Sequence, residues 1–193
     1  NFANMNTYDC DVFGENNTCF SFGGRHTRIS NPDTQLNSVV LVGGFKWDDT
    51  FRMGAFFHSN VDQMTPDNLQ LLDKTPLLGG LLVWKEKNKP LGYRLKVAYA
   101  WQTKQAILTR PVVGGTAKGR GETQVGAENF VVELQYSHRL NDTTIVRPYL
   151  AARQAHISQD GYTETGISLP LTFNAIDDKA STLLLGVKFD TVL

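Results

Sequence analysis

The stretch Leu91-Gly92-Tyr93-Arg94-Leu95-Lys96-Val97-Ala98-Tyr99-Ala100-Trp101-Gln102-Thr103-Lys104 decides the fold. Its odd positions give Leu91, Tyr93, Leu95, Val97, Tyr99 and Trp101, and its even positions give Gly92, Arg94, Lys96, Ala98, Ala100, Gln102 and Lys104. Apolar residues spaced by two share one face of a strand, whereas a helix would scatter them around its axis. The same period recurs on either side. Phe130, Val132, Leu134, Tyr136 and Leu140 alternate with Asn129, Glu133, Gln135, Ser137 and Arg139, with Val131 the one apolar intruder. Upstream, Phe51, Met53, Ala55 and Phe57 alternate with Arg52, Gly54, Phe56 and His58, and Val39, Leu41, Phe45 and Trp47 oppose Ser38, Gly44 and Lys46. Phe20 and Phe22 begin a further strand. Others are expected over 77–87, 144–158 and 167–175, and through Leu183, Leu185, Val187 and Phe189. No stretch has the spacing of an amphipathic helix.

Turn residues separate these segments at Asn31-Pro32-Asp33, Asp48-Asp49, Asn88-Lys89-Pro90, Asn141-Asp142 and Asp160-Gly161. Connections are short after Trp47, Lys87 and Leu140, and long over 60–76, 107–125 and 159–180. Tight turns on one side and extended loops on the other predict an all-β, antiparallel up-and-down transmembrane β-barrel, with eight or nine strands in this chain. The apolar stripes hold ~6 alternating positions, close to the ~10 residues with which a tilted strand crosses a bilayer.

Composition bounds the alternatives. The 193 residues form one domain of ordinary length, read as an irregular N-terminal segment over 1–18 and a barrel domain over 19–193. Lys and Arg number 19 against 19 Asp and Glu, so no bulk positive charge points to nucleic acid. The longest apolar runs, 77–84 and 39–45, are about half the ~20 residues a membrane-spanning helix needs. The first 18 residues are polar and Asn-rich and carry no signal-peptide pattern. Cys10 and Cys19 are the two cysteines, a candidate disulfide closing a loop of ten residues. Such a bond contributes ~2.5–3 kcal/mol in the chain-entropy account. The alternative is a pair of free thiols. With no histidine nearby they make no zinc site, and neither a metal nor a cofactor is expected.

The two faces of the strands imply different surroundings. Phe45, Trp47, Tyr93, Tyr99, Trp101 and Tyr136 stand at the ends of the apolar stripes, as in a lipid-facing aromatic girdle. Arg52, Arg94, Lys96, Lys104, Glu133, Arg139, Arg147 and Arg153 occupy the opposite face, predicting a hydrated, net positive lumen that lines a pore or holds a plug.

Two other readings stand beside this one. His156-Ile157-Ser158 has the parity a small outer-membrane lipid hydrolase would need, with Asp160 and Glu164 as orienting acids. His58-Ser59 lacks that parity, because adjacent strand residues face opposite sides. His26 and His138 are expected as surface or lumen polar groups. The third reading is a soluble β-barrel with a ligand inside.

The order of segments resembles the translocator β-barrel of autotransporters, the type V secretion proteins of Gram-negative bacteria. Leu41-Val42-Gly43-Gly44-Phe45-Lys46 followed by Phe51-Arg52-Met53-Gly54-Ala55-Phe56-Phe57 is similar to the family's paired early strands. Gly92 to Tyr99 is similar to a mid-barrel strand, and Thr116-Ala117-Lys118-Gly119 and Glu133-Leu134-Gln135-Tyr136 to the loop and strand after it. Val146-Arg147-Pro148-Tyr149-Leu150-Ala151-Ala152-Arg153, Gln159 to Glu164 and Leu184-Leu185-Gly186-Val187-Lys188 carry the most specific likeness, which runs from about Phe20 to the end.

The resemblance implies a non-enzymatic barrel in the bacterial outer membrane that translocates or anchors a passenger polypeptide. Outer-membrane lipid and the assembly machinery would be its partners. It further implies 12 strands around a pore crossed by a helix. Residues 1–18 do not read as that helix, eight or nine strands fall short of 12, and Thr191-Val192-Leu193 lacks the usual C-terminal aromatic. The chain is therefore expected to be a fragment, to close with fewer strands, or to self-associate through its strand edges. Asn16-Asn17 looks like the pair at which some autotransporters release their passenger, but sits in a turn pattern. Gly114-Gly115 and the glycines of 119–121 read as a flexible loop tip.

Overall fold

A computed structural model describes residues 8–10, 12–30, 33–87, 89, 91–112 and 116–191. The turn residues Asn31, Pro32, Asn88 and Pro90, the pair Gly114-Gly115, the terminal Val192-Leu193 and the first seven residues of the N-terminal segment lie outside these. The strands are β1 (Thr18–Ser30), β2 (Asp33–Lys46), β3 (Phe51–Met64), β4 (Leu69–Leu71), β5 (Leu77–Lys85), β6 (Tyr93–Thr109), β7 (Arg120–Tyr136), β8 (His138–Arg139), β9 (Thr144–Gln159), β10 (Tyr162–Thr163), β11 (Thr172–Phe173) and β12 (Ile176–Thr191). Among the described residues there is no helix.

Eight long strands pair in the order β1-β2-β3-β5-β6-β7-β9-β12, each antiparallel to the next, as a half-barrel. β4 adds to β6 and β8 to β9, while β10 and β11 form a separate hairpin. The tight turns follow from local chemistry. Asp48 Oδ1 accepts hydrogen bonds from the backbone N–H of Thr50 and Phe51, both at 2.7 Å, and Asn141 Oδ1 accepts one from Thr143 at 3.0 Å. Each is a short side chain replacing a backbone acceptor inside a turn. β1 and β12 each have one edge without a strand partner among the described residues.

Register places every odd residue of the Tyr93–Trp101 stripe on one face. Leu95 lies between Trp84 and Leu134, Val97 between Leu82 and Val132, and Tyr99 between Gly80 and Phe130. This is the convex face, where Trp47, Leu82, Tyr93, Trp101, Leu134, Leu150 and Leu185 are exposed. Between the Tyr93–Tyr136 pair at the tight-turn end and the Tyr99–Trp101 stack lies an apolar band. It spans ~27 Å along the strand from Tyr93 to Trp101, or ~20 Å across once the usual tilt is allowed for.

The strands do not stop where the band does. β6 continues through Gln102-Thr103-Lys104-Gln105 to Thr109, paired with Arg120 to Ala127 of β7, and β3 continues to Met64. The long loops expected over 60–76 and 107–125 are therefore close to half strand, over 60–64, 69–71, 107–109 and 120–125. Polar residues alternate with polar residues there, so the ladder persists without a hydrophobic period to announce it. The strand expected over 167–175 shrinks to the two residues of β11, and residues 160–175 fold back over the strand ends instead.

The concave face differs from expectation at its centre. Ser38, Val40, Val42, Phe56, His58, Leu77, Leu81, Val83, Ala98, Ala100, Asn129 and Val131 are buried there, so much of the surface opposite the band is apolar too. Phe56 is accommodated by Gly79, its cross-strand partner, where an added Cβ would collide with the ring and come 2.6 Å from the Tyr99 carbonyl oxygen. Glycine opposite an aromatic lets the ring lie flat on the neighbouring strand. What buries this apolar floor is the N-terminal segment: Tyr8, Cys10 and Phe13 pack against it.

Candidate functional site

The described part of the N-terminal segment enters the concave side as an irregular strap, and the structure joins Cys10 to Cys19 near the start of β1 by a disulfide. The bond ties the strap to the sheet. Asn16 and Asn17 then lie in an exposed turn, with Asn17 at φ 56° and its N–H donated to Gly14 O, outside any helix.

Three cations hold the strap down. Arg52 of β3 donates from Nη2 to Asp9 Oδ2 at 2.7 Å and from Nη1 to the carbonyl oxygen of Cys10 at 3.0 Å. Arg94 of β6 donates from its own Nη2 to the same Asp9 oxygen. Lys96, two residues along and therefore on the same face, is only 1% exposed and donates to the carbonyl oxygen of Tyr8 at 3.2 Å. Asp9 Oδ1 accepts the Cys10 N–H at 2.8 Å, so both carboxylate oxygens are used. Charge-assisted contacts of this kind are roughly twice as strong as neutral ones.

Tyr8 is fixed from the other side. Its hydroxyl accepts a hydrogen bond from Arg25 Nη1 at 2.9 Å and stands 2.5 Å from His58 Nδ1. An arginine can only donate, so the Tyr8 oxygen accepts from Arg25, and the 2.5 Å contact with His58 Nδ1 is a second hydrogen bond whose direction the histidine tautomer sets. The Tyr8 ring lies 4.9 Å from that of Phe56. His58, read as a non-catalytic strand residue by parity, is an interior partner of Tyr8.

The remaining cations of the expected lumen divide by position. Glu133, cross-strand from Lys96, is 3% exposed and accepts from Lys188 Nζ at 3.2 and 3.4 Å. Arg147 pairs with Asp190 of β12, and Arg153 sits on the concave face between Val131 and Thr182. Lys104 lies on the β6 extension, beyond the apolar band, and Arg139 is exposed at the tight-turn end in β8. The structure thus gathers Arg52, Arg94 and Lys96 around one carboxylate and leaves the others apart. Phe45, Trp47, Tyr93, Tyr99, Trp101 and Tyr136 are all exposed on the convex face.

His156 also points to the convex side, level with Glu128 and just past Trp101. Its Nε2 lies 2.8 Å from Asp177 Oδ2 and its Nδ1 3.7 Å from Glu128 Oε2, so both ring nitrogens face carboxylates rather than Ser158. A nucleophile–base–acid relay needs one nitrogen for each neighbour. Among the described residues, no three His, Cys, Asp or Glu side chains gather as metal ligands would.

At the long-loop end a second polar cluster closes the strand extensions. Arg110 donates from Nε to Glu164 Oε1 at 2.8 Å and from Nη2 to Oε2 at 3.2 Å, and Oε2 also accepts the Leu171 N–H. Tyr162 stacks on Phe173, with ring centroids 4.8 Å apart, and fits over Gly121, where any side chain would strike the tyrosine ring. The glycines of 119–121, expected in a flexible tip, are the floor beneath this packed hairpin. The hydrogen bond from Arg110 holds the Glu164 carboxyl below the usual glutamate range. A carboxylate with a depressed folded pKa stabilises above its unfolded pKa of ~4.3, and that contribution is lost as pH falls through the folded value. An acid-active protease should therefore cut within 160–175 progressively faster below about pH 4.3. Glu164→Gln should be cut rapidly at every pH; a wild-type rate that is flat down to pH 3 would refute the role of this pair.

Residues 20–193 match the model of the family described as the autotransporter β-domain. The chain belongs to that family. Among solved structures, this β-domain is similar to the translocator domain of the autotransporter NalP from Neisseria meningitidis, with a TM-score of 0.60 and 13% sequence identity. The match covers 89% of this chain and 59% of that chain, and it bears on the fold alone. None of the curated proteins compared matches this β-domain.

What the sequence did not reveal is the strap. Tyr8 and Asp9 carry no motif, and their partners Arg94 and Lys96 lie 85 and 88 residues away. The one available signal was the Cys10–Cys19 spacing, which places residue 10 against the start of β1 if the bond forms.

Proposed function

We propose that this β-domain sits in the bacterial outer membrane and translocates or anchors a passenger polypeptide at the cell surface. The observation that carries the reading is the opposition of two faces across one sheet. A convex apolar band bounded by Tyr93, Tyr136, Tyr99 and Trp101 suits lipid, and a concave face with Arg25, Arg52, Arg94 and Lys96 suits a polypeptide inside. Strand ends that continue past the band on the long-loop side would stand out of the membrane, with the tight turns on the periplasmic side. Unpaired strand edges are untenable in hydrocarbon, where each unsatisfied backbone group costs several kcal/mol, so β1 and β12 are paired there by further strands or by a second copy.

The test is display. A reporter fused ahead of the full-length protein in a Gram-negative host should be cut by protease added outside intact cells, at least tenfold more than the same reporter without the barrel. A reporter that stays in the periplasm, with the barrel present in the outer membrane, would overturn translocation.

A further inference from the structure

We infer that Arg52, Arg94 and Lys96 form a binding site for an acidic residue in an extended polypeptide, a site that Asp9 fills in cis and a second segment fills when the strap is displaced. This rests on the translocator reading and names what the concave face recognises. The contacts are almost all blind to sequence. Lys96 takes the carbonyl oxygen of the residue before the acid, Arg52 Nη1 takes the carbonyl oxygen of the residue after it, and Arg52 Nη2 and Arg94 Nη2 take the carboxylate. Two main-chain carbonyls and one acid are what any extended X-Asp-X or X-Glu-X segment offers.

Arg94 Nε is buried with no hydrogen-bond partner among the described residues, so the fork can donate to a second carboxylate oxygen of a ligand that does not turn it back on its own backbone, as Asp9 does. Besides the acid, the one side-chain preference is at the preceding position. There Arg25, His58 and Phe56 surround an aromatic ring with a hydroxyl at its tip, the place Tyr8 now takes. The fitting ligand is therefore an aromatic-acidic pair in extended chain. The Cys10–Cys19 bond keeps Asp9 at a high effective concentration over the site, so an incoming segment competes only once the strap is loosened.

The test uses the full-length protein in detergent micelles and a fluorescein-labelled, end-blocked peptide, Gly-Tyr-Asp-Ser-Gly, with Gly-Tyr-Asn-Ser-Gly as its control. In the variant Asp9→Asn with Cys10→Ser and Cys19→Ser, anisotropy should show the Asp peptide binding at least tenfold tighter than the Asn peptide. That preference should vanish when Arg52→Gln and Arg94→Gln are added. Equal binding of the two peptides, or a preference that survives the arginine changes, would overturn the inference.

A second measurement needs no variant. In the reduced wild-type protein, excess Asp peptide should speed chymotryptic cleavage of the strap by displacing Asp9, while the Asn peptide should not; equal rates count against the site. Selective binding without surface display would refute translocation alone, and display without selective binding would refute this site alone.

Discussion

Replacing Asp9 by asparagine should make chymotrypsin cut the strap at Tyr8 or Phe13 about 100-fold faster in the folded, detergent-solubilised protein. Asp9 is the shared counter-ion of Arg52 and Arg94, whose side chains are 6% and 17% exposed. Removing one partner of a buried ion pair costs about 3 kcal/mol or more, because the two guanidinium groups lose the carboxylate they share in a place largely closed to water. When opening is fast relative to cleavage, proteolysis reports the open population, and about 3 kcal/mol then corresponds to two decades of rate. Asp9→Glu keeps the charge and should stay within a few-fold of wild type. The apolar contacts of Tyr8 and Phe13 remain in both variants, so they cannot account for a difference between them. If asparagine and glutamate behave alike, the strap is held by its packing and disulfide, and the basic cluster does not act as a clamp.

Val97→Arg should abolish the heat-modifiable, membrane-embedded form, while Gln105→Arg on the same strand and the same face should leave it intact. Val97 lies midway between the aromatic levels at Tyr93 and Trp101, with Leu82 and Val132 as its cross-strand neighbours. An arginine on the lipid face costs ~2–4 kcal/mol at the bilayer midplane and ~0–1 near its boundary. Gln105 follows Trp101 by four residues on the β6 extension and is already exposed. A soluble barrel would tolerate both substitutions alike, since both positions would face water. Equal folding yields for the two variants would therefore remove the lipid assignment of the convex face.

The legible part of this molecule was the part governed by contrast. Tyr93, Leu95, Val97, Tyr99 and Trp101 share one face because the strand period is two. Asp48 and Asn141 mark turns by a chemistry confined to two or three residues. Where contrast failed, reading failed with it. Gln102 to Thr109 is strand with no apolar stripe, and Ala98, Ala100 and Val131 were assigned to a polar face although they form the buried floor under Tyr8. Small and apolar residues at alternate positions on both faces give no signal about which side meets water.

By itself, then, the sequence determined the apolar-striped strands and their tight turns, which depend on neighbours within about ten residues, and the family likeness, which rests on the order of those segments along the chain. Only the tertiary structure decided that Tyr8, Cys10 and Phe13 pack into the concave side, that Arg52, Arg94 and Lys96 converge on Tyr8 and Asp9 while Arg139 and Lys104 do not, and that Glu164 locks a hairpin over the strand ends. Those contacts join residues 43 to 88 positions apart. A charge on a strand reveals its face through the period, but its partner is set by how the sheet curves and by what chain is laid across it, and neither leaves a local trace.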